Sequence, residues 1–162
     1  MRYHMPFTIR DAMVTSVVTV EPNYTVKHAV NLMNRFEIGC LVVVEDEKVA
    51  GIMTERDVLT RVVAEDRDPE ETLVREIMSR PVIVVGPDMP LKEAVKLMVK
   101  NRIKKLPVME RFRGVERLVG LVTLTDIARV QPRLIETLKE LFEQEHEELP
   151  KRMEKVVNYY IV

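Results

Sequence analysis

Two short segments of the sequence contain a glycine, a threonine and an aspartate in the same order, Gly-x-x-Thr-x-x-Asp. The first reads GIMTERD and contains Thr54 and Asp57, and the second reads GLVTLTD and contains Thr123 and Asp126. A threonine hydroxyl can donate a hydrogen bond to a phosphate oxygen, and a carboxylate can accept hydrogen bonds from the two hydroxyls of a ribose. The motif therefore indicates a site for a ligand that contains ribose or phosphate.

The surroundings of each motif allow two interpretations. Each threonine lies where a strand-like apolar run ends and helical periodicity begins, and a helix N-terminus attracts phosphate through its unpaired N–H groups. Gly51 and Gly120 would allow backbone or ligand to approach closely. However, Thr-x-x-Asp at a helix start also resembles a capping box, in which the two side chains serve only the helix. The local pattern is consistent with both interpretations.

The two motifs belong to a longer internal repeat. Apolar and proline positions between residues 13 and 43 recur 65 positions later, between residues 78 and 108. The motif itself recurs at an offset of 69, because the second copy has an insertion at residues 111–114. A tandem repeat is one structural unit used twice, so the copies should be interpreted together.

Within each copy the hydrophobic period changes in a fixed order. A short β-rich run comes first, at residues 18–20 and 83–85, and a proline follows it. Apolar residues then recur at helical spacing, forming one stripe in each copy. These stripes are Val26, Ala29, Val30 and Met33 in the first copy and Leu91, Ala94, Val95 and Met98 in the second.

Two strand-like runs follow each helix. In the first copy Asp46 and Glu47 join them, which favours a tight hairpin, and in the second copy the hairpin is longer. A second helix is predicted after each motif threonine. In the first copy its apolar face is Val58, Leu59, Val62 and Val63. Each copy is therefore predicted to be β-α-β-β-α.

We predict an α/β (α+β) fold with one repeat at residues 9–65 and a second at residues 74–130. Such a unit leaves one face of its sheet bare, so the two repeats should pack sheet to sheet with pseudo-two-fold symmetry. A C-terminal helix and tail occupy residues 132–162, with an apolar face that contains Leu134, Leu138, Leu141 and Phe142. This helix either packs on its own domain or forms a dimer contact or exchanged arm.

Composition limits the class of protein. The chain has 162 residues, 46% of them hydrophobic and 31% charged, with a formal net charge of −1. That charge gives no general attraction to nucleic acid or to an anionic membrane. A single cysteine, Cys40, fits a reducing compartment, and no apolar run suggests a leader or membrane span, so we expect a cytoplasmic location. No zinc-binding spacing and no catalytic Ser/His/Asp or Cys/His arrangement is present, so we predict neither a metal site nor an enzyme.

The ordered, duplicated pattern resembles a tandem pair of CBS domains, an arrangement called a Bateman module. The segment NRIKKLPVME is also similar to the second strand of that family, although Val42 stands in the first copy where the second has Pro107. The resemblance covers residues 9 to about 130. It implies a stand-alone regulatory module without catalytic activity, paired with a second copy as a homodimer.

The resemblance also implies a ligand and the residues that hold it. CBS pairs commonly bind AMP, ADP, ATP or S-adenosylmethionine in clefts between the repeats. The motif aspartates would hold ribose hydroxyls, with the motif threonines near ribose or phosphate. The residues implied to line the adenine pocket are Val17, Val82, Ile38 and Ile103, and the cations available to a phosphate are Arg56, Lys104 and Lys105. The alternative is a structural or protein-interaction module that keeps the fold without a ligand.

Overall fold

The computed structural model describes residues 5–144 and Met153, which form two compact units. The Asp57 unit is Ser16–Ile83. The Asp126 unit consists of residues 5–15 and 84–144 together with Met153. Each unit combines helices with one small sheet, so the fold is mixed α+β, as the sequence predicts.

The secondary structure repeats in the order that the periodicity indicates. Along the chain the elements are α1 (Ile9–Ala12), β1 (Thr19–Val20), α2 (Val26–Phe36), β2 (Cys40–Glu45), β3 (Lys48–Thr54), α3 (Glu55–Val58), a π-helical turn (Leu59–Val63), α4 (Val74–Ile77), α5 (Leu91–Asn101), β4 (Lys105–Phe112), β5 (Val115–Thr123), α6 (Leu124–Val130) and α7 (Arg133–Gln144).

The sheets differ in their first strand. In the Asp57 unit β1 pairs in parallel with β2, and β2 pairs antiparallel with β3. In the Asp126 unit β4 and β5 form the antiparallel pair, but the run predicted at residues 83–85 contributes only a parallel bridge from Val85 to Val108. In the first copy Val42 N donates to Val18 O at 3.3 Å, whereas Pro107, at the corresponding position of the second copy, has no N–H with which to make that bond.

The long helices bury the predicted apolar stripes. All four stripe residues of α5 are buried, whereas in α2 Val26, Ala29 and Met33 are buried and Val30 is half-buried. The side chain of Thr25 caps α2 by accepting a hydrogen bond from His28 N at 3.2 Å. Glu37 and Arg102 end the two helices in the left-handed conformation.

Both hairpins contain two-residue turns with positive φ, the backbone form that matches the twist of paired strands. The predicted turn at Asp46 and Glu47 is confirmed, with φ of 50° and 64°. Arg113 and Gly114 form the second turn. The insertion lengthens the second hairpin, because its last pairs, Arg111 with Glu116 and Phe112 with Val115, have no counterpart in the first hairpin.

The helix after the first motif departs from the predicted apolar face. Val62 is buried and Val58 is half-buried, but Leu59 and Val63 are each 62% exposed. The cause is the π-helical turn, in which Ala64 N donates to Leu59 O at 2.9 Å across five residues. This wider spacing rotates side chains away from the face expected for 3.6 residues per turn.

Two four-residue helices, α1 and α4, begin the two repeats, and each packs in the compact unit that contains most of the other copy. Helix α1 belongs to the Asp126 unit, where Ile9 N donates to Met89 O at 2.9 Å. Helix α4 belongs to the Asp57 unit, where Val74 N donates to Tyr24 O at 2.9 Å. Each compact unit is therefore completed by the leading helix of the neighbouring repeat.

An arginine anchors each leading helix in the same way. Arg10 donates to Glu110 Oε1 at 2.8 Å, and Arg75 donates to Glu45 Oε1 at 3.1 Å and to Asn23 Oδ1. The hydrogen bond and charge of Glu110 raise the pKa of Arg10. Both clamps are solvent-exposed, so each contributes little to stability.

Helix α7 packs on α5 and α6 within the Asp126 unit. Leu134, Ile135 and Leu138 are buried and Leu141 is half-buried, so the predicted apolar face is confirmed as far as the structure describes it. In the single chain α7 packs on its own domain, and a part in a dimer contact or exchanged arm stays a prediction. The side chain of Phe142 and most of the tail beyond residue 144 lie outside the described residues.

Candidate functional site

The first motif forms a complete cap at the start of α3. Strand β3 ends at Thr54, whose N and Oγ1 donate to Asp57 Oδ2 at 2.9 Å and 3.1 Å. In return Asp57 N donates to Thr54 Oγ1 at 3.2 Å. The capping interpretation therefore accounts for both side chains, with aspartate in the position where glutamate is usual.

The second motif forms the same cap at the start of α6. Thr123 N and Oγ1 donate to Asp126 Oδ2 at 3.1 Å and 2.8 Å, and Asp126 N donates to Thr123 Oγ1 at 3.1 Å. In both units the threonine hydroxyl already donates its one hydrogen bond to the carboxylate. A phosphate could accept a hydrogen bond from that hydroxyl only if the cap were broken.

A methionine side chain and a backbone carbonyl oxygen pack against each motif glycine, in the space that a side chain would occupy. A Cβ atom built on Gly51 would lie 2.7 Å from Met78 Sδ, and one built on Gly120 would lie 2.7 Å from Met13 Sδ. A backbone oxygen lies 3.1 Å from the first position and 3.0 Å from the second. The close approach that the sequence predicts here is made by the protein itself.

The two aspartates differ at their second carboxylate oxygen. Asp57 Oδ1 accepts a hydrogen bond from Ser79 Oγ at 3.0 Å and lies 3.7 Å from Arg61 Nη1. Asp126 Oδ1 lies 4.0 Å from Arg129 Nη1, and no side chain among the described residues donates a hydrogen bond to it. The Asp57 side chain is 8% exposed and the Asp126 side chain 17%.

Arg61 also holds the backbone that carries Ser79. Its Nη1 donates to Ile77 O at 2.7 Å and to Met78 O at 3.1 Å, at the C-terminal end of α4. Sequence reasoning missed both Ser79 and Arg61, since neither belongs to the motif. The repeat itself contained a signal, a polar residue in one copy where the other has valine. At the repeat offsets Ser79 corresponds to Val14, and Arg61 corresponds to Val130.

The predicted cations are divided between the units. In the Asp126 unit Lys105 lies directly opposite Thr123 in the β4–β5 ladder, and Lys104 O accepts a hydrogen bond from Leu124 N at 2.9 Å. The structure therefore brings both lysines beside the second motif. Arg56 is exposed on α3, inside the first motif.

The lysine positions are filled differently in the Asp57 unit. Gly39 O accepts a hydrogen bond from Glu55 N at 3.1 Å, and Cys40 lies opposite Thr54. The Glu55 carboxyl group lies 3.4–3.6 Å from the position that a Gly39 side chain would take. The first motif therefore has a carboxylate near the place where the second has lysine.

The four residues predicted to line an adenine pocket are all half-buried. Ile38 N and Ile103 N each donate a 3.0 Å hydrogen bond to the end of the preceding helix, just before β2 and β4 respectively. Val17 precedes β1, and Val82 lies in the corresponding segment of the second copy. Their role toward a ligand stays a prediction.

The described part of the chain lacks two other kinds of site, a metal centre and a membrane-spanning helix. No group of three or more His, Cys, Asp or Glu side chains there is arranged to hold a metal ion. No helix in residues 5–144 has the length and apolar character required to span a membrane.

Known proteins share this sequence pattern and this fold. The family model for the CBS domain matches residues 9–64 and again residues 74–133. The CBS domain-containing protein YhcV of Bacillus subtilis is 37% identical over 121 residues, which are 75% of this chain and 83% of that protein.

Solved structures give the same result. The CBS domain pair of protein MJ0100, in complex with 5′-methylthioadenosine and S-adenosylmethionine, is 27% identical with a TM-score of 0.68, covering 80% of this chain and 98% of that one. A hexameric CBS-CP12 protein from bloom-forming cyanobacteria is 29% identical with a TM-score of 0.70, covering 88% and 86%. Because two successive matches of the family model together cover most of its length, the chain belongs to the CBS-domain family as a tandem pair.

Proposed function

We propose that this chain is a non-catalytic regulatory module that binds an adenosine-containing ligand, one of AMP, ADP, ATP or S-adenosylmethionine. Its family membership supports this proposal. A second support is that a structural neighbour, which covers 80% of the chain, binds adenosyl ligands. Binding would change the shape of the module or its association with a partner, and the ligand would leave unaltered.

The observation that carries the proposal is the geometry of the motif carboxylates. One oxygen of each aspartate is fixed by its own cap, with both donors at 2.8–3.1 Å. The side chain is thus held in one orientation before a ligand arrives, which lowers the entropic cost of binding. The second oxygen is the one that can accept ribose hydroxyls. In Asp126 no described side chain donates a hydrogen bond to it, whereas in Asp57 it also accepts from Ser79.

The remaining predicted contacts follow from position. Thr54 and Thr123 would lie near the ribose, where each hydroxyl can still accept a hydrogen bond. A phosphate beside the second motif would have Lys104 and Lys105 nearby, and one beside the first motif would have Arg56. The adenine would contact four half-buried apolar residues, Val17, Ile38, Val82 and Ile103.

Thermal unfolding with AMP, ADP, ATP, S-adenosylmethionine and 5′-methylthioadenosine tests the proposal. A ligand at about a hundred times its Kd adds about 2.7 kcal/mol to the free energy of unfolding. For a protein of this size the melting temperature should rise by roughly 2–4 °C. The combined variant Asp57→Asn with Asp126→Asn should lose the shift. The control variant Glu136→Gln, at an exposed position of α7, should keep it. No shift with any of the five compounds would contradict the proposal.

A second candidate, a structural or protein-interaction module without a ligand, is favoured by the caps themselves. The hydrogen bonds within each motif explain why threonine and aspartate occur there, without reference to any other molecule. On this alternative Thr54→Ala and Thr123→Ala each cost about 1 kcal/mol of stability. The same variants would then alter no ligand response, because none exists.

Self-association is part of the proposal. A CBS-domain neighbour is described as hexameric, so a stable assembly is compatible with this fold, and we propose a homodimer. Light scattering at low micromolar concentration should give twice the mass of 18.8 kDa, and the mass of a single chain or of a larger ring would contradict it.

A further inference from the structure

The two motif aspartates present their second carboxylate oxygens in different environments, and this difference bears on which motif binds the ligand. In the Asp57 unit that oxygen is engaged by Ser79 and Arg61. We call Asp57, Ser79 and Arg61 together the latch. In the Asp126 unit the corresponding positions are Val14 and Val130, which can donate no side-chain hydrogen bond.

The latch ties the segment after α4 to the helix that follows the first motif. Ser79 is held by its backbone, since Ser79 N donates to Ile52 O at 2.8 Å and Ile52 N donates to Ser79 O at 3.1 Å. Its hydroxyl therefore reaches Asp57 from a fixed position. Arg61 binds the carbonyls of Ile77 and Met78 in the same segment. Together these contacts close a polar connection within the Asp57 unit.

The Asp126 unit has the same backbone arrangement without the polar side chains. Val14 N donates to Leu121 O and Leu121 N donates to Val14 O, both at 2.9 Å, as Ser79 and Ile52 do. The two units thus differ at this point mainly in their side chains. Val14 and Ser79 are therefore matched positions for an exchange of residues.

Asp57 Oδ1 already accepts a hydrogen bond from Ser79 and lies 3.7 Å from Arg61 Nη1, so a ribose hydroxyl that binds this oxygen has to share it with these groups or displace them. Displacing them loses interactions that the folded protein already makes, which reduces the net gain from binding. Asp126 Oδ1 has no side-chain hydrogen-bond donor among the described residues, and Arg129 Nη1 lies 4.0 Å from it. Nothing in the motif itself produces this difference, since the caps are alike.

We propose that Asp57 is committed to the latch and that the adenosyl ligand binds preferentially at the motif of Asp126. This inference rests on the proposed function for its ligand, although the latch itself does not. It predicts that one motif per chain is occupied at ligand concentrations near Kd, with the Asp126 unit filled first.

Titration calorimetry with AMP, ATP and 5′-methylthioadenosine tests the preference. Asp126→Asn should weaken binding at least tenfold more than Asp57→Asn does. Installing the latch in the Asp126 unit, with Val14→Ser and Val130→Arg, should weaken binding about tenfold. The reverse exchange in the Asp57 unit, with Ser79→Val and Arg61→Val, should add a second binding event. Equal losses from the two aspartate variants, or a larger loss from Asp57→Asn, would overturn the preference.

Thermal unfolding without any ligand tests the latch separately. Both aspartate variants weaken a cap, so the cap contribution cancels when they are compared. Asp57→Asn should lower the melting temperature more than Asp126→Asn, and this excess should disappear when Ser79→Val is already present. Equal melting temperatures would reject the latch whether or not a ligand binds. Binding of none of the probes would instead reject the proposed function and, with it, the preference.

Discussion

The Asp57 and Asp126 units share their construction and differ in what covers their helices. Each has a leading helix from the other repeat, an arginine clamp, a methionine over the motif glycine and a Thr-Asp cap. In the Asp126 unit α7 also packs on α5 and α6. No such helix covers α2 and α3 among the described residues, and Leu59 and Val63 are exposed there.

The sequences of α2 and α5 reflect this difference. Val95 and Val99 of α5 are buried, whereas their counterparts in α2, Val30 and Asn34, are half-buried and exposed. A helix covered on two sides needs a wider apolar face than a helix covered on one. The comparison shows that a duplicated unit keeps its internal packing and changes the faces that meet its surroundings.

The largest expected effect concerns this covering helix. Leu138 of α7 is fully buried, so Leu138→Ala removes packed atoms and leaves a cavity, at a cost of about 2–5 kcal/mol. Leu59→Ala, on the uncovered helix of the other unit, should cost less than about 0.5 kcal/mol. Urea denaturation of the two variants measures both values. Comparable losses would show that the two helix pairs are covered alike.

The motif glycines provide a test in which the two units should behave alike. Gly51→Ala and Gly120→Ala each place a methyl group 2.7 Å from a methionine sulfur and close to a carbonyl oxygen. The neighbours have to move, and such overpacking costs about 1–3 kcal/mol. Gly86→Ala is the control, since nothing lies within 4 Å of the added atom. A loss in only one unit, measured by chemical denaturation, would mean that the shared packing is not equivalent.

Much of this architecture could be predicted from the repeat because its signals are local. The apolar stripes locate α2 and α5, the Asp46-Glu47 turn locates the first hairpin, and Thr-x-x-Asp marks the helix starts. Each of these features depends on residues within a few positions of one another, so a linear pattern is sufficient to reveal it.

The features that escaped prediction depend on contacts between distant residues. Helices α1 and α4 have four residues each, too few for a periodic pattern, and their docking partners lie in the other repeat. The bond from Ser79 to Asp57 spans 22 positions. The exposure of Leu59 follows from a π-helical turn that no residue type marks. Such features require the fold before they can be recognised.

The smallest expected effect concerns the carboxylates in the first turn of the leading helices, Asp11 in α1 and Glu76 in α4. Glu76 accepts hydrogen bonds from Leu73 N and from Arg67, both at 2.6 Å, whereas Asp11 accepts from Thr8. The bond from Leu73, followed by Arg67, lowers the pKa of Glu76 below its ordinary value of 4.5.

Because the pKa of Glu76 is lower in the folded protein than in the unfolded chain, its contribution to stability is complete above pH 4.5. The unfolded state binds the proton first as the pH falls, so this contribution is lost as the pH passes through the lowered folded pKa. Glu76→Gln should therefore reduce stability at neutral pH and flatten the decline in acid. Glu140→Gln, an exposed change on α7, should leave the acid limb unaltered. Melting temperatures measured from pH 7 down to about 3 give the two slopes, and an unchanged slope in Glu76→Gln would show that the Leu73 and Arg67 contacts do not set the protonation of this helix start.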